Sequence, residues 1–416
     1  MLANSVDKAL RKRAQLVVPG GMWGHLHANK LPEGYPQFFA RADGARLWDV
    51  DGRSYVDFMC SWGPNMLGHH HPEVEEAVAR QSSLGDTMNG PSEIMVELAE
   101  LLVETVAHAD WALFQKNGTD ATTTCVTIAR AATGRRKLLV ARGAYHGAVP
   151  WCSPSVVGVT AEDRAHLVYF DFNDVESLRA AAAEAGDDLA AIMVSAFRHD
   201  LGRDLELPTR AFAQAARELC DTAGAALVLD EVRAGFRLHL AGSWESLGVR
   251  PDLAAWSKAI ANGYPLAAVT GQDWLRDAAS RIFVTGSFWC AAVPMAAALA
   301  TIKVLRKDGI IEKLALMGGR LRDGIAALTQ QYGVALRQSG PAQMPLILFE
   351  DDPEFQKGDL FCQVALACGV YFHPRHNMFL SAAHGEAEID EALAAAEAGL
   401  KAVAQRFRSS ARLAQA

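Results

Sequence analysis

Two short segments of the chain each end in a side chain that could do chemistry. An apolar run over 227–229 leads into Asp230, and a second one over 254–256 leads to Lys258, ahead of a glycine turn. In a parallel α/β sheet the carboxyl ends of the strands build the site, so both side chains are expected there. A carboxylate can hold a proton on a ring nitrogen, and an amine can form a Schiff base with an aldehyde. The pair predicts a pyridine-aldehyde cofactor, pyridoxal 5′-phosphate (PLP).

Each member of the pair also has an ordinary structural interpretation. An aspartate after a buried strand, such as Asp230, often caps the next helix. A lone lysine before a turn, such as Lys258, is often a solvated side chain. The prediction therefore depends on whether the rest of a PLP site is present.

Further segments could hold the phosphate and the ring of such a cofactor. Asn117, Gly118 and Thr119 follow a predicted strand and open a predicted helix, where backbone amides and the helix N-terminus attract an anion. A plain helix cap is the alternative. Tyr145, flanked by glycines, could stack on the ring or could be a loop anchor. Val232 could cover the other face of the ring.

Composition limits the classes of function. The 416 residues carry a formal net charge of −8, and half are apolar. No basic stripe favours a nucleic-acid partner, and no apolar run approaches the roughly 18 residues of a membrane span. The seven cysteines are scattered singly, which indicates reduced thiols and a cytoplasmic location. Three adjacent histidines, 69–71, cannot all face one ion, so no metal site is predicted.

Strand and helix patterns alternate between about 90 and 290. Predicted strands lie at 112–114, 137–141, 189–194 and 225–229, and predicted helices at 91–103, 121–132 and 209–222. Such alternation predicts an α/β fold with a mostly parallel sheet between helices. We expect three regions, namely an N-terminal arm or part of the small domain over 1–55, a large cofactor-binding domain over 56–300 and a smaller C-terminal domain over 301–416.

The order of these motifs resembles that of class III PLP-dependent aminotransferases. The matching motifs are Asn-Gly-Thr-Asp-Ala at 117–121, Tyr-His-Gly at 145–147, Asp-Glu-Val at 230–232 and Ser-Lys at 257–258. Segments 19–21, 48–52 and 61–72 are similar to the glutamate-1-semialdehyde aminomutase branch. Segments 85–88, 91–96, 283–289, 341–345 and 376–384 are similar to the bacterial fumonisin aminotransferases.

The resemblance implies PLP transferase fold type I, with a mostly parallel seven-stranded sheet and a smaller α+β domain. Within it, Lys258 would be the Schiff-base lysine and proton shuttle, and Asp230 the partner of the pyridine nitrogen. Tyr145 would stack on the ring, while Gly118 and Thr119 would bind the phosphate.

The resemblance also implies a homodimer in which the neighbouring subunit contributes a phosphate contact. Ser287, ahead of the helix that begins near Pro294, is our candidate for that contact. Thr285 is the alternative.

The sequence departs from the aminomutase branch where that branch holds its substrate's carboxylate with an arginine. His27 stands there, and an imidazole cannot form the bidentate clamp of a guanidinium. We therefore expect an amine or amino-polyol donor without an α-carboxylate, of the fumonisin type. The predicted substrate contacts are Trp23, His27, Trp62, Arg198 and Phe288. Core or dimer packing is the alternative for the aromatic members, and a surface salt bridge is the alternative for Arg198.

The expected acceptor is pyruvate or another 2-oxo acid. Arg198, Arg233 and Arg375 remain open as partners of its carboxylate. Two rival functions also remain: a PLP-dependent aminomutase or lyase, and a non-enzymatic protein of the same fold.

Overall fold

The computed structural model describes residues 5–413, with side chains described as far as residue 407. The chain forms two compact units. The first comprises the chain up to His71, the segment Leu201–Asp204 and the chain from Glu312 onward, and the second comprises Pro72–Asp200 and Leu205–Ile311. The chain passes from the first unit to the second after residue 71 and returns to the first unit after residue 311. The domain limits expected from the sequence were 55/56 and 300/301.

The helices and strands follow one another along the chain in this order. Up to His71 they are α1 (Ser5–Val17), β1 (Phe39–Asp43), β2 (Arg46–Asp49) and β3 (Ser54–Asp57). Then come α2 (Pro72–Leu84), α3 (Ile94–Thr105), β4 (Trp111–Gln115), α4 (Gly118–Thr133), β5 (Lys137–Ala141), β6 (Leu167–Phe170), α5 (Val175–Ala185), β7 (Leu189–Ser195), α6 (Arg210–Ala223), β8 (Ala226–Asp230), β9 (Leu253–Trp256), β10 (Ala267–Gly271), α7 (Arg276–Arg281) and α8 (Ala292–Lys307). The last are α9 (Ile310–Tyr332), β11 (Leu336–Ser339), β12 (Leu346–Phe349), α10 (Gln356–Ala367), β13 (Val370–Tyr371) and α11 (Glu386–Leu413).

The second unit contains one seven-stranded sheet in the order β4-β10-β9-β8-β7-β5-β6. The strands from β9 to β6 are parallel to their neighbours, whereas β10 is antiparallel to both β4 and β9. The predicted mostly parallel, seven-stranded sheet is confirmed. The chain pattern did not reveal β6 and β10; three of the five residues of β10 are Ala or Gly, which are depleted in strands.

Burial explains why the central strands read as continuous apolar runs. Every residue of β7 and β8 is buried, as expected for parallel strands covered on both faces. On one face, α4 packs with Leu138, Met193 and Val228 in the main apolar core of this unit. Three of the flanking helices, α4, α5 and α6, begin at side-chain caps; for example, Thr209 accepts a hydrogen bond from the Phe212 N–H at the start of α6.

The first unit has its own sheets. β1, β2, β3 and β13 form a four-stranded sheet, and β11 pairs with β12. β13 runs parallel to β3, with Val370 opposite Val56, and α10 and α11 pack against it. Among residues 5–413, no helix combines the length and the apolar content needed to cross a bilayer.

Candidate active site

Asp230 and Lys258 lie at the carboxyl ends of neighbouring strands of the second unit. Asp230 is the last residue of β8 and pairs in register with Ala255 of β9. Lys258 lies two residues beyond the end of β9. Both side chains line one cavity of about 250 Å³. The other lining residues are Asn117, Gly118, Thr119, Tyr145, His146, Gly147, His199, Val232, Arg233 and Ser257. The strand order therefore brings together the two groups that the sequence placed at one site.

Two hydrogen bonds hold the Asp230 carboxylate in a fixed orientation. Its Oδ1 accepts from the backbone N–H of Val232 at 3.0 Å. Its Oδ2 lies 2.7 Å from Nδ1 of His146, a buried side chain whose backbone carbonyl accepts from the Thr122 hydroxyl. Because His146 donates through Nδ1, its Nε2 faces away from the carboxylate, and that atom has no partner among the described residues.

Lys258 is held as a reactive amine. Its backbone adopts φ +50°, a left-handed conformation that costs on the order of 1–3 kcal/mol and is typical of functional sites. Burial, and next the charge of Arg233, lower the pKa of Lys258 to about 7, while Asp230 opposes the shift. An amine with such a pKa is largely uncharged just above neutrality, as a nucleophile or proton acceptor must be.

The N-terminus of α4 forms an anion cradle beside these groups. The Asn117 side chain accepts from the Asp120 N–H. The N–H groups of Gly118 and Thr119 have no intrahelical acceptors, because these residues are the first two of the helix. A Cβ on Gly118 would stand 2.6 Å from Cγ1 of Val232, so only glycine fits here. Helix ends with exposed N–H groups of this kind bind phosphate.

Tyr145 and Val232 line the same cavity and offer an aromatic and an aliphatic surface to a flat ring. Tyr145 is 42% exposed and therefore has room to stack on a ligand. The amine, the carboxylate, the helix end and these two surfaces together match the aldehyde, ring nitrogen, phosphate and ring faces of PLP. The residues present thus fit the cofactor that the sequence predicted.

Three of the predicted substrate contacts lie in the first unit. Trp23 is 65% exposed at the start of a short 3₁₀ turn. His27 is engaged locally, since its Nε2 is 3.1 Å from the Gly20 carbonyl and its Nδ1 accepts from the Asn29 N–H. Trp62 packs edge-on against three imidazoles. These belong to His25, His376 and His373, at centroid distances of 4.6, 4.8 and 5.4 Å.

The remaining predicted residues belong to the second unit. The Arg198 guanidinium pairs with the Glu206 carboxylate at 2.8 Å and is not among the cavity-lining residues, which favours the salt-bridge interpretation. Phe288 is 64% exposed. Ser287 and Thr285 are exposed ahead of α8, and neither lines the cavity of its own chain.

The cavity-lining residues to which sequence reasoning assigned no role include two histidines, His146 and His199. The only signal for His146 was its place in the Tyr-His-Gly motif, because its partner Asp230 is 84 residues away. His199 follows β7, and burial, then the charge of Arg233, lower its pKa well below the ordinary value. Its imidazole is therefore neutral and adds no positive charge to the cavity.

The histidines at 69–71 show no metal geometry. His69 bonds through Nε2 to the Asp57 carboxylate at 3.0 Å and lies 3.2 Å from the Asn65 amide through Nδ1. Within the described part of the chain, no three His, Cys, Asp or Glu side chains are grouped as metal ligands.

Comparisons with known proteins agree with this geometry. The aminotransferase class-III family model matches residues 30–393. An aminopentol aminotransferase from Sphingopyxis macrogoltabida is 51% identical over 97% of this chain and 96% of its own. A glutamate-1-semialdehyde 2,1-aminomutase from Nitrosospira multiformis is 33% identical over 94% of this chain and 98% of its own.

A solved structure extends the likeness to three dimensions. The PLP form of the FumI protein from Sphingopyxis sp. MTA144 superimposes with a TM-score of 0.96, at 51% identity, over 97% of both chains. The family match spans most of the sequence, and the cavity contains the groups that the family's cofactor requires. The chain therefore belongs to the class III aminotransferases, enzymes of PLP fold type I that depend on pyridoxal 5′-phosphate.

Proposed function

We propose that the chain is a transaminase that moves an amino group from an amine or amino-polyol donor of the aminopentol type to a 2-oxo acid such as pyruvate. The observation that carries the proposal is that Lys258 and Asp230 line one cavity. The name of the 51% identical relative supports the donor class. His27, in place of the arginine expected in the aminomutase branch, supports a donor without an α-carboxylate.

When bound, PLP supplies an aldehyde that takes up the amino group and a protonated ring that accepts electrons. Lys258, largely uncharged just above neutral pH, would take the proton from the donor carbon and deliver it to the carbon that bore the aldehyde, which leaves the amino group on the cofactor. Asp230, oriented by His146, keeps the ring nitrogen protonated. The N–H groups of Gly118 and Thr119 hold the phosphate at the start of α4.

The remaining proposed contacts are with the ring, the phosphate and the donor. Tyr145 and Val232 would cover the two faces of the ring, and Asn117 shapes the start of α4, where the phosphate would lie, through its cap. We propose the following residues as contacts of the donor: Trp23, His27, Trp62 and Phe288.

We also propose a homodimer in which Ser287, rather than Thr285, reaches the phosphate bound by the partner subunit. Both residues are exposed, and neither lines the cavity of its own chain, which is what a contact made across an interface requires. A cytoplasmic location is proposed because the seven cysteines are all free thiols.

The test follows the two half-reactions separately. Purified enzyme loaded with PLP is mixed with single amines, amino-polyols and α-amino acids while the absorption spectrum is recorded, and pyruvate is then added and alanine is quantified. We expect amino-polyols and long-chain amines to change the spectrum and to yield alanine. Lys258→Ala is the matched control, which should bind PLP without covalent attachment and without turnover.

Two outcomes would contradict the proposal. An isomerised or unsaturated product without alanine would indicate an aminomutase or lyase, and one of the 33% identical relatives is an aminomutase. Failure of every amine to change the spectrum would indicate a non-enzymatic protein.

A further inference from the structure

The two substrates of the proposed reaction make opposite demands on one cavity. The acceptor, a 2-oxo acid, carries a carboxylate beside its reacting carbonyl, whereas the proposed donor carries none. A buried carboxylate needs a cationic partner, and a planar guanidinium is the best geometric match. The sequence left Arg198, Arg233 and Arg375 open for this role.

Arg198 and Arg375 are each paired with a carboxylate of the protein. Arg198 bonds to Glu206 at 2.8 Å. One guanidinium nitrogen of Arg375, Nη2, contacts both carboxylate oxygens of Asp359, at 2.7 and 2.8 Å, and Nη1 donates to the Lys30 carbonyl at 2.9 Å. Neither of these arginines is among the residues that line the cavity with Lys258.

Arg233 lines the cavity together with Lys258 and Tyr145. It follows Asp230 by three residues, in the segment that leaves the carboxyl end of β8. Burial lowers the pKa of Arg233 to about 10, and its charge in turn lowers the pKa of Lys258. The guanidinium is thus charged, largely removed from water and electrostatically close to the amine that reacts.

The neighbours of Arg233 explain how the cavity can also hold a donor without a carboxylate. The charges of Asp230 and, less strongly, Asp200 favour the protonated guanidinium of Arg233. Asp200 also contacts the loop after β5, where a Cβ on Gly143 would meet its Oδ2 at 3.0 Å. A buried guanidinium is tolerated when such a carboxylate accompanies it.

We propose that Arg233 binds the carboxylate of the 2-oxo acid acceptor, and that the carboxylates of the protein near it balance its charge while the donor occupies the cavity. The inference rests on the proposed transaminase function and names the residue that recognises its second substrate. Arg233 would then determine acceptor specificity without contributing to recognition of the donor.

The experiment compares acceptors with and without a carboxylate. Enzyme loaded with the donor's amino group is mixed with pyruvate or with propanal, which has the same carbon chain but no carboxylate. Arg233→Gln should lower the second-order rate constant for pyruvate by about 100-fold more than that for propanal, since any effect through the pKa of Lys258 is common to both acceptors. Arg233→Lys should recover part of the pyruvate rate, since lysine keeps the positive charge but cannot form the two parallel hydrogen bonds of a guanidinium.

A binding measurement gives a readout that does not depend on turnover. Propionate, an unreactive carboxylate, is titrated calorimetrically into the PLP-loaded enzyme, and Arg233→Gln should weaken its affinity by a factor similar to the loss with pyruvate. Arg142→Gln is the control for loss of a guanidinium charge, because Arg142 is an exposed residue that pairs with Asp171.

Several results would overturn the assignment. Equal losses with pyruvate and propanal would mean that Arg233 acts through Lys258 or through folding. Unchanged kinetics of Arg233→Gln with pyruvate would also exclude the assignment. So would a loss of rate specific to pyruvate that appears in Arg198→Gln and not in Arg233→Gln. If no amine reacts with the wild-type enzyme, the proposed function fails, while the propionate titration still decides whether Arg233 binds a carboxylate.

Discussion

Replacing Lys258 by methionine should stabilise the cofactor-free protein, and the gain should depend on pH. The folded protein lowers the pKa of this lysine from 10.5 to about 7, chiefly by burial. Between these values the unfolded chain binds more protons than the folded one, so wild-type stability rises with pH across that window. Methionine keeps the apolar stem and removes the titrating group, so the variant lacks this rise.

The magnitude follows from the shift. At about 1.4 kcal/mol per pKa unit, a fully buried lysine would cost about 5 kcal/mol below pH 7. Lys258 is partly accessible to solvent, and screening reduces the cost, so we expect a gain of about 1–3 kcal/mol at pH 7. The gain should shrink as the pH rises and vanish near pH 10.5.

The assay is urea unfolding of both proteins, stripped of cofactor and at equal concentration, at pH 6.5, 8 and 9.5. Lys303→Met, on the exposed side of α8, controls for the loss of a surface charge. Equal stability of wild type and Lys258→Met at pH 6.5, or a gain of the same size at pH 9.5, would refute the reasoning from burial.

Three further predictions concern the cofactor. Asp230→Asn should slow transamination by about 10²–10⁴-fold with little change in the urea midpoint, because an amide cannot keep the ring nitrogen protonated. Gly118→Ala should weaken PLP binding at least about tenfold, since the new Cβ would stand 2.6 Å from Val232 Cγ1, and adding Val232→Ala should recover part of the lost affinity, to the level of Val232→Ala alone. Ser287→Ala should weaken PLP binding by about 10-fold through a lost phosphate hydrogen bond, whereas Thr285→Ala should not. Single-turnover kinetics and PLP titrations measure these effects.

Each of the three predictions would be contradicted by a specific result. Retained activity in Asp230→Asn would mean that another residue controls the ring nitrogen. If Val232→Ala fails to rescue Gly118→Ala, the glycine is needed for its backbone and not for the space against Val232. If Thr285→Ala weakens PLP binding and Ser287→Ala does not, Thr285 is the residue that makes the proposed dimer contact.

Much of the fold was readable from local patterns. The runs that became β5, β7 and β8 were predicted within one or two residues, because strands buried on both faces are apolar throughout. α6 was predicted close to its observed limits, since a capping Thr209 and a terminal Gly224 mark its ends. β10 was missed because small residues give a weak strand pattern, and its position beside β9 depends on a long-range pairing.

The candidate site divides in the same way. Asp230, Lys258 and Gly118 were predictable because each closes or opens an element whose pattern is local. The salt bridge of Arg198 was left open by the sequence, since its partner Glu206 is brought opposite it by a backbone bridge. The support that His146 gives to Asp230 depends on which strands lie side by side.

By itself, the sequence determined the class of fold, the family and the chemical groups that serve the cofactor, because periodicity, capping residues and motif order are properties of neighbouring residues. The tertiary structure decided which of these groups share a cavity, which arginine lines it and how far the pKa of Lys258 falls. These properties depend on strand order and on removal from water, both of which involve residues far apart in the chain.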